Sequence, residues 1–160
     1  MKRVIILDLD NTLIYSTYDG GLKVNKLFKY MDFLYIYEKP YAREFIHRCH
    51  KIGDVVVFTI SELDYATQVS EHLNIQPIGI YANEHCLIRE NVIRKSVPDH
   101  FFEVYDEIVI VDDYPEIWDI EIHDRCRFII PFGFMGDEKD CELKMLMERL
   151  SDKTLEIEFS

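Results

Sequence analysis

Near the start of the chain two aspartates, one residue apart, follow directly on an apolar run: Val4-Ile5-Ile6-Leu7, then Asp8-Leu9-Asp10-Asn11-Thr12. A short, continuous run rich in β-branched residues predicts a strand buried on both faces. A carboxylate fits such a strand only where it ends. Asp8 is therefore expected at the carboxyl end of a central parallel strand, where open α/β sheets keep their ligand sites. Two unpaired carboxylates this close repel each other and resist ionising. A shared divalent cation removes that conflict, and Mg²⁺ suits oxygen ligands of this kind. Taken alone, Asp-Leu-Asp-Asn-Thr also reads as an ordinary polar turn.

Further along, the same pattern recurs. Ile108-Val109-Ile110-Val111 runs into Asp112-Asp113, and Val55-Val56-Val57-Phe58 runs into Thr59. Ser61 with Asp64 three residues on resembles a capping box that opens a helix through Leu73. Thr59 then sits between a strand end and a helix N-terminus, a junction that offers a hydroxyl and backbone N–H groups to an anion. Lys95 follows the hairpin-like stretch Cys86-Leu87-Ile88, Arg89-Glu90-Asn91, Val92-Ile93, where a lysine is ordinarily surface charge.

The elements that must hold these residues alternate. Pro40 is expected at the first turn of a helix, with Phe45, Ile46, Cys49 and Ile52 on its apolar face and Gly53 as its stop. Pro77 to Tyr81 and Arg127 to Pro131 read as further strands, and Leu143, Leu146, Met147 and Leu150 mark a closing amphipathic helix. Tyr15 to Lys39 is turn-rich and then aromatic, with strand composition at Phe33-Leu34-Tyr35-Ile36-Tyr37. It is expected to form a small β flap beside the Asp8 strand end, its aromatics either covering the sheet edge or touching substrate. The tail from Leu155 to Phe159 reads as a candidate edge strand. Alternation of strands and helices predicts an α/β fold: a Rossmann-like parallel sheet with helices on both faces. If the Asp8, Thr59 and Asp112 strands are neighbours, all three ends meet in one cleft.

The 160 residues fit one domain, 1–160, and 48% of them are apolar, which excludes a disordered chain. No apolar run approaches the ~20 residues of a membrane helix. Asp8 and Asp10 interrupt what would otherwise resemble a signal peptide after Met1-Lys2-Arg3, so an intracellular protein is expected, cytoplasmic or, in a eukaryote, nuclear. The cysteines Cys49, Cys86, Cys126 and Cys141 are too dispersed for a zinc ribbon or redox pair, and His47, Cys49 and His50 have no second ligand pair. A net charge of −12 disfavours a nucleic-acid backbone as partner. A basic partner, or a small substrate held by a metal, suits it better.

In combination, Asp8-Leu9-Asp10-Asn11-Thr12, Val57-Phe58-Thr59-Ile60-Ser61, Lys95 and Val111-Asp112-Asp113 resemble the four motifs of the haloacid dehalogenase superfamily of phosphatases. Lys39-Pro40-Tyr41-Ala42-Arg43-Glu44-Phe45, the Thr59 stretch with Tyr65-Ala66, and Ile110-Val111-Asp112-Asp113-Tyr114-Pro115 are similar to one branch of it. That branch is the nuclear LIM interactor-interacting factor group, which includes the small phosphatases of the RNA polymerase II C-terminal domain. The resemblance covers nearly the whole chain and is weakest in the flap.

The resemblance implies roles. Asp8 would be the nucleophile that forms an aspartyl-phosphate, and Asp10 the general acid and base. Mg²⁺ would be held by the Asp8 side chain, the Asp10 carbonyl and Asp113. Asp112 would support the metal or hold Lys95, with Thr12 as a further support. Thr59, Lys95 and backbone N–H groups such as that of Ile60 would neutralise the phosphoryl oxygens. About 25 residues separate the Asp8 motif from Pro40 and about 35 separate Thr59 from Lys95, too few for a separately folded cap of ~50 residues or more. An open cleft favours phosphoserine or phosphothreonine in a protein segment. A small-molecule or nucleotide phosphomonoester is the alternative substrate, and a phosphopeptide-binding module without catalysis the alternative class.

Overall fold

A computed structural model of the chain describes residues 1–151. Among these, a five-stranded parallel sheet runs in the order β10-β9-β1-β5-β6. Its strands are β1 (Arg3–Leu7), β5 (Asp54–Phe58), β6 (Gly79–Tyr81), β9 (Glu107–Val111) and β10 (Arg127–Ile129). The three β-branched runs occupy its centre because their side chains are apolar on both faces. Ile5, Leu7, Val55, Val57, Val109 and Val111 join one buried cluster, while Val4, Ile6, Val56, Phe58, Ile108 and Ile110 join another. Each such side chain removed from water contributes about 1.5–3 kcal/mol.

Three helices cover the first face: α1 (Ala42–Ile52), α2 (Leu63–His72) and α4 (Glu142–Ser151). The second face is covered by the four-residue α3 (Phe101–Val104), with Phe101, and by Val97, Trp118 and Ile122 from irregular segments. The expected flap is present as a three-stranded antiparallel sheet in the order β2-β4-β3, built from β2 (Ile14–Thr17), β3 (Lys26–Tyr30) and β4 (Leu34–Glu38). Its aromatics have different surroundings. Tyr37 is buried with Val24 and Phe134, whereas Tyr30 lines a groove beside the strand ends. The hairpin β7 (Leu87–Arg89) and β8 (Val92–Arg94) turns through Glu90 and Asn91, both at positive φ (53° and 63°). The tail expected as an edge strand lies outside the described residues.

Two helix ends differ from their expected form. Pro40 does not sit in the first turn of α1. Ala42 N–H bonds Lys39 O at 3.0 Å, and Tyr41 between them has φ 69° and ψ 10°. That is a type II turn with proline at its second position, and the helix starts only after it. Gly53 ends α1, but in extended backbone (φ −177°) rather than as a left-handed cap. A Cβ there would stand 2.7 Å from Arg3 O, so the requirement is close approach to β1.

At the junction of the flap and α1, the side chain of Lys39 is fully buried. Its Nζ is 2.7 Å from Glu142 Oε1 and 3.7 Å from Asp140 Oδ2, and it donates to Phe132 O at 3.3 Å. This ties the start of α4 to the flap's exit. Among the described residues no helix is long and apolar enough to cross a membrane.

Candidate active site

Register carries the chemistry into one place. Leu7 pairs with Val57 on one side and Val111 on the other, so the carboxyl ends of β1, β5 and β9 lie level. Asp8, Thr59 and Asp112 each leave their strand there, all three buried. Lys95, at the end of β8, is also buried, and its ammonium enters the same cluster. Nζ donates to Asp8 Oδ1 (3.0 Å), Asp112 Oδ2 (2.8 Å) and Phe58 O (3.0 Å), which uses all its protons. Backbone bonds hold it in place: Lys95 N–H donates to Ile117 O and Asp119 N–H donates to Lys95 O, each at 2.9 Å.

Asp112 accepts on both of its oxygens. Trp118 Nε1 donates to Oδ2 at 3.0 Å and Tyr114 N–H to Oδ1 at 2.9 Å. Of its two expected roles, the geometry shows the one that holds Lys95. The Thr12 hydroxyl stands 2.8 Å from Asp8 Oδ2 and 3.0 Å from Asp113 Oδ1, and accepts the Asp113 N–H at 3.0 Å. It therefore links the first and third strand ends.

Carboxylate oxygens of Asp8, Asp112 and Asp113 lie within 4.8 Å of one another. Three acids around one ammonium leave an excess of negative charge. Burial pushes the Asp8 carboxyl above its usual range, against the pull of Lys95 and Thr12. Burial, and then the Asp8 charge, raise Asp112 to about 6. Burial alone would lower the Lys95 ammonium, but Asp8 and Asp112 beside it outweigh that and hold it above its usual value. A hard divalent cation answers this donor set. Asp8, Asp112 and Asp113 each bring a carboxylate oxygen to this cluster, so the residues fit a cation such as Mg²⁺.

The Asp10 side chain lines the same cleft and is held from the α2 side. Ser61 Oγ donates to its Oδ2 at 3.0 Å and the Tyr65 hydroxyl to its Oδ1 at 2.6 Å. The expected capping box is thus absent: Glu62 is the N-cap of α2, with no side-chain cap bond. A carboxylate 51 residues earlier takes the Ser61 hydroxyl instead. Burial, followed by the Asp10 charge, pushes the Tyr65 phenol far above its usual range, so it stays a proton donor. Thr59 Oγ1 accepts the Ser61 N–H at 3.1 Å, and half-exposed Ile60 lies between them at the rim.

A cleft of about 290 Å³ opens above these groups, lined by Asp8, Asp10, Thr59, Lys95, Asp113 and Tyr114 among others. Beside it lies a groove of about 480 Å³ between the flap and α2, lined by Ser16, Tyr30, Leu34 and Tyr65. Both hollows share Asp10, Asn11 and Ile60. Every site residue expected from the sequence borders this cleft or bonds a residue that does. Ser61 as a partner of Asp10, Tyr65 and Trp118 were not anticipated as site residues. The four-residue spacing of Ser61 and Tyr65 at the start of a helix is a signal that could have found that pair.

A family profile described as NLI interacting factor-like phosphatase matches residues 3–158. The chain is 30% identical over 128 residues to an RNA polymerase II C-terminal domain phosphatase of Encephalitozoon cuniculi, covering 74% of this chain and 30% of that protein. It is 26% identical over 161 residues to phosphatase PSR1 of Saccharomyces cerevisiae, covering 96% and 37%. It thus spans roughly a third of the length of these relatives. The solved structure of Fcp1, described as an essential RNA polymerase II CTD phosphatase, superposes with a TM-score of 0.59 at 19% identity, covering 96% of this chain and 49% of that one. It shares the fold.

Proposed function

This chain belongs to the NLI interacting factor-like phosphatase family, and from that premise we propose that it is an Mg²⁺-dependent phosphomonoesterase acting on phosphoserine or phosphothreonine in a protein segment. The observation that carries the reading is Asp8 at the end of β1, held between Lys95 and Thr12, with Asp10 at the same cleft. An Asp8 carboxylate oxygen attacks phosphorus while the bond to the seryl or threonyl oxygen breaks and that oxygen takes a proton from Asp10. A water then gives its proton to Asp10 and attacks phosphorus, the bond to Asp8 breaks, and inorganic phosphate leaves.

Lys95 has no spare donor, so it meets a phosphoryl oxygen by exchange. The hydrogen bond to Asp8 Oδ1 is the one to give up, because that carboxylate spends its charge on phosphorus. Asp112 and Trp118 keep the ammonium in place meanwhile. Thr59 and the Ile60 N–H face the other phosphoryl oxygens. Mg²⁺, held by Asp8, Asp113 and the Asp10 carbonyl, would neutralise charge on the transferring group.

The substrate class rests on shape and kinship. The cleft continues into the flap-side groove, so a chain can lie across both, and the named relatives include C-terminal-domain phosphatases. The acidic surface attracts Lys or Arg near the phosphosite, an attraction that salt weakens.

The test is a competition series over phosphopeptides, nucleotides and sugar phosphates at two ionic strengths, with Asp8→Asn as the inactive control. The expected result is highest kcat/KM on peptides with basic flanks at low salt. Wild-type turnover by folded Asp8→Asn overturns the mechanism. A metabolite that outruns every peptide by roughly 10-fold or more replaces the protein substrate with a small one.

A further inference from the structure

We propose that Tyr65, together with Ser61, is a positioning residue that fixes the orientation of the Asp10 carboxylate for proton transfer to the leaving oxygen. This rests on the reading of Asp10 as the acid and base. A carboxylate on a loop just past a strand turns freely about its two side-chain bonds. One hydrogen bond leaves it a pivot; two donors, one on each oxygen, remove it. Here the grip comes from both ends of the first turn of α2, with Ser61 just before the helix and Tyr65 within it. The Tyr65 contact, at 2.6 Å, has the length of a charge-assisted O–H···O⁻ bond. A carboxyl group has about four such positions, so two remain beside these bonds, one for the proton that passes to the leaving oxygen and one for water.

Tyr65 is itself held fast. Its ring is buried, and Ala66 and Val69 anchor the same helix in the core. From the flap, Tyr30 packs against it edge-on, with centroids 5.1 Å apart at 74°, and Tyr30 OH donates to Asp64 Oδ2 of α2 at 3.1 Å. The wall of the groove that receives the substrate chain is therefore also the support of the group that aims Asp10. A buried phenol needs a partner in any fold, so the experiment must separate aiming from mere satisfaction of a hydroxyl.

Proton donation matters most when the leaving oxygen is poor. The measurement is the single-turnover rate of phosphoryl transfer from a phosphoserine peptide and from an activated aryl phosphate. The proteins are the wild type, Tyr65→Phe, Ser61→Ala, Asp10→Asn and the Tyr65→Phe/Asp10→Asn double variant, with melting temperature as the check on folding. Tyr65→Phe keeps the ring and its contact with Tyr30. It should slow the peptide reaction roughly 10-fold, a fraction of the 10²–10⁴ typical of general acid catalysis. The aryl phosphate should lose about threefold at most, and peptide KM should stay within about twofold. Ser61→Ala should show the same pattern more weakly, and it carries the test if Tyr65→Phe does not fold. In the Asp10→Asn background Tyr65→Phe should cost nothing more. Equal losses on both substrates, a change confined to KM, or a further loss in the double variant overturns the positioning role while leaving Asp10 as the acid. If Asp10→Asn itself slows both substrates alike, the acid assignment falls and the positioning role falls with it.

Discussion

Replacing Lys95 with methionine keeps the length and most of the bulk of the side chain and removes its charge. Lys95 Nζ lies 3.0 Å from Asp8 Oδ1 and 2.8 Å from Asp112 Oδ2, with the ammonium and Asp112 almost wholly out of water. Methionine leaves two buried carboxylates without their cation and the Phe58 carbonyl without its donor. Breaking one side of a buried ion pair typically costs 3–5 kcal/mol. In a chain of this size each kcal/mol is about 2–4 °C, so the midpoint should fall by roughly 6–20 °C near neutral pH. The pH dependence follows from which groups change. Burial already holds Asp8 and Asp112 above the usual carboxylate range, and Lys95 is what pulls them down. Without it both rise further. A carboxyl raised in the folded state binds protons there that the unfolded chain does not, so it destabilises the fold as pH rises through and beyond that range. The deficit of Lys95→Met should therefore be small near pH 5 and grow towards pH 8. Lys95 itself, held above its usual value, stays charged across that window. Urea unfolding in chelator at the two pH values measures it, followed through Trp118, the chain's one tryptophan, whose Nε1 donates to Asp112. A variant as stable as the wild type at pH 8, or one with the same deficit at both pH values, refutes the counter-ion reasoning.

Chelation should abolish phosphomonoesterase activity and Mg²⁺ should restore it, whereas Ca²⁺, with its larger and looser oxygen shell, should not; full turnover in excess chelator refutes the assignment of Asp8 and Asp113. Gly53→Ala forces a Cβ to within 2.7 Å of Arg3 O, a backbone atom of β1 that cannot swing aside. It should destabilise by about 1–3 kcal/mol, and an unchanged midpoint in a urea melt refutes the close-approach argument.

The sheet was legible because its central strands are unbroken β-branched runs, and burial on both faces leaves such a segment few other places to go. Asp8, Thr59 and Asp112 were legible for the same reason, each being the first polar residue after a run. What escaped was set by partners far along the chain or by turn geometry that residue type alone does not fix. Ser61 satisfies a local capping pattern, yet its hydroxyl goes to Asp10, 51 residues earlier. Pro40 looks like a helix opener, but the turn Lys39 makes to Ala42 uses it differently. The helix α3 and the short turns around Trp118 are only three or four residues long, about one turn, too short for a helical pattern to repeat. Lys95 reads locally as ordinary surface charge and was expected in the cleft only through the family resemblance; irregular segments fold over it and bury it, and they carry no periodicity.

Lys39 has a consequence for how such a sequence can diverge. Its ammonium and the Asp140 and Glu142 carboxylates are about a hundred residues apart along the chain, yet none of the three is comfortable without the others. Losing one partner of a buried pair is far costlier than exchanging the whole set for apolar side chains of similar volume. Drift at these positions is therefore concerted. A lineage in which Lys39 becomes apolar should carry neutral residues at 140 and 142, and the passage between the two states should run through an intermediate less stable than either, which would make position 39 and the start of the last helix a single inherited character.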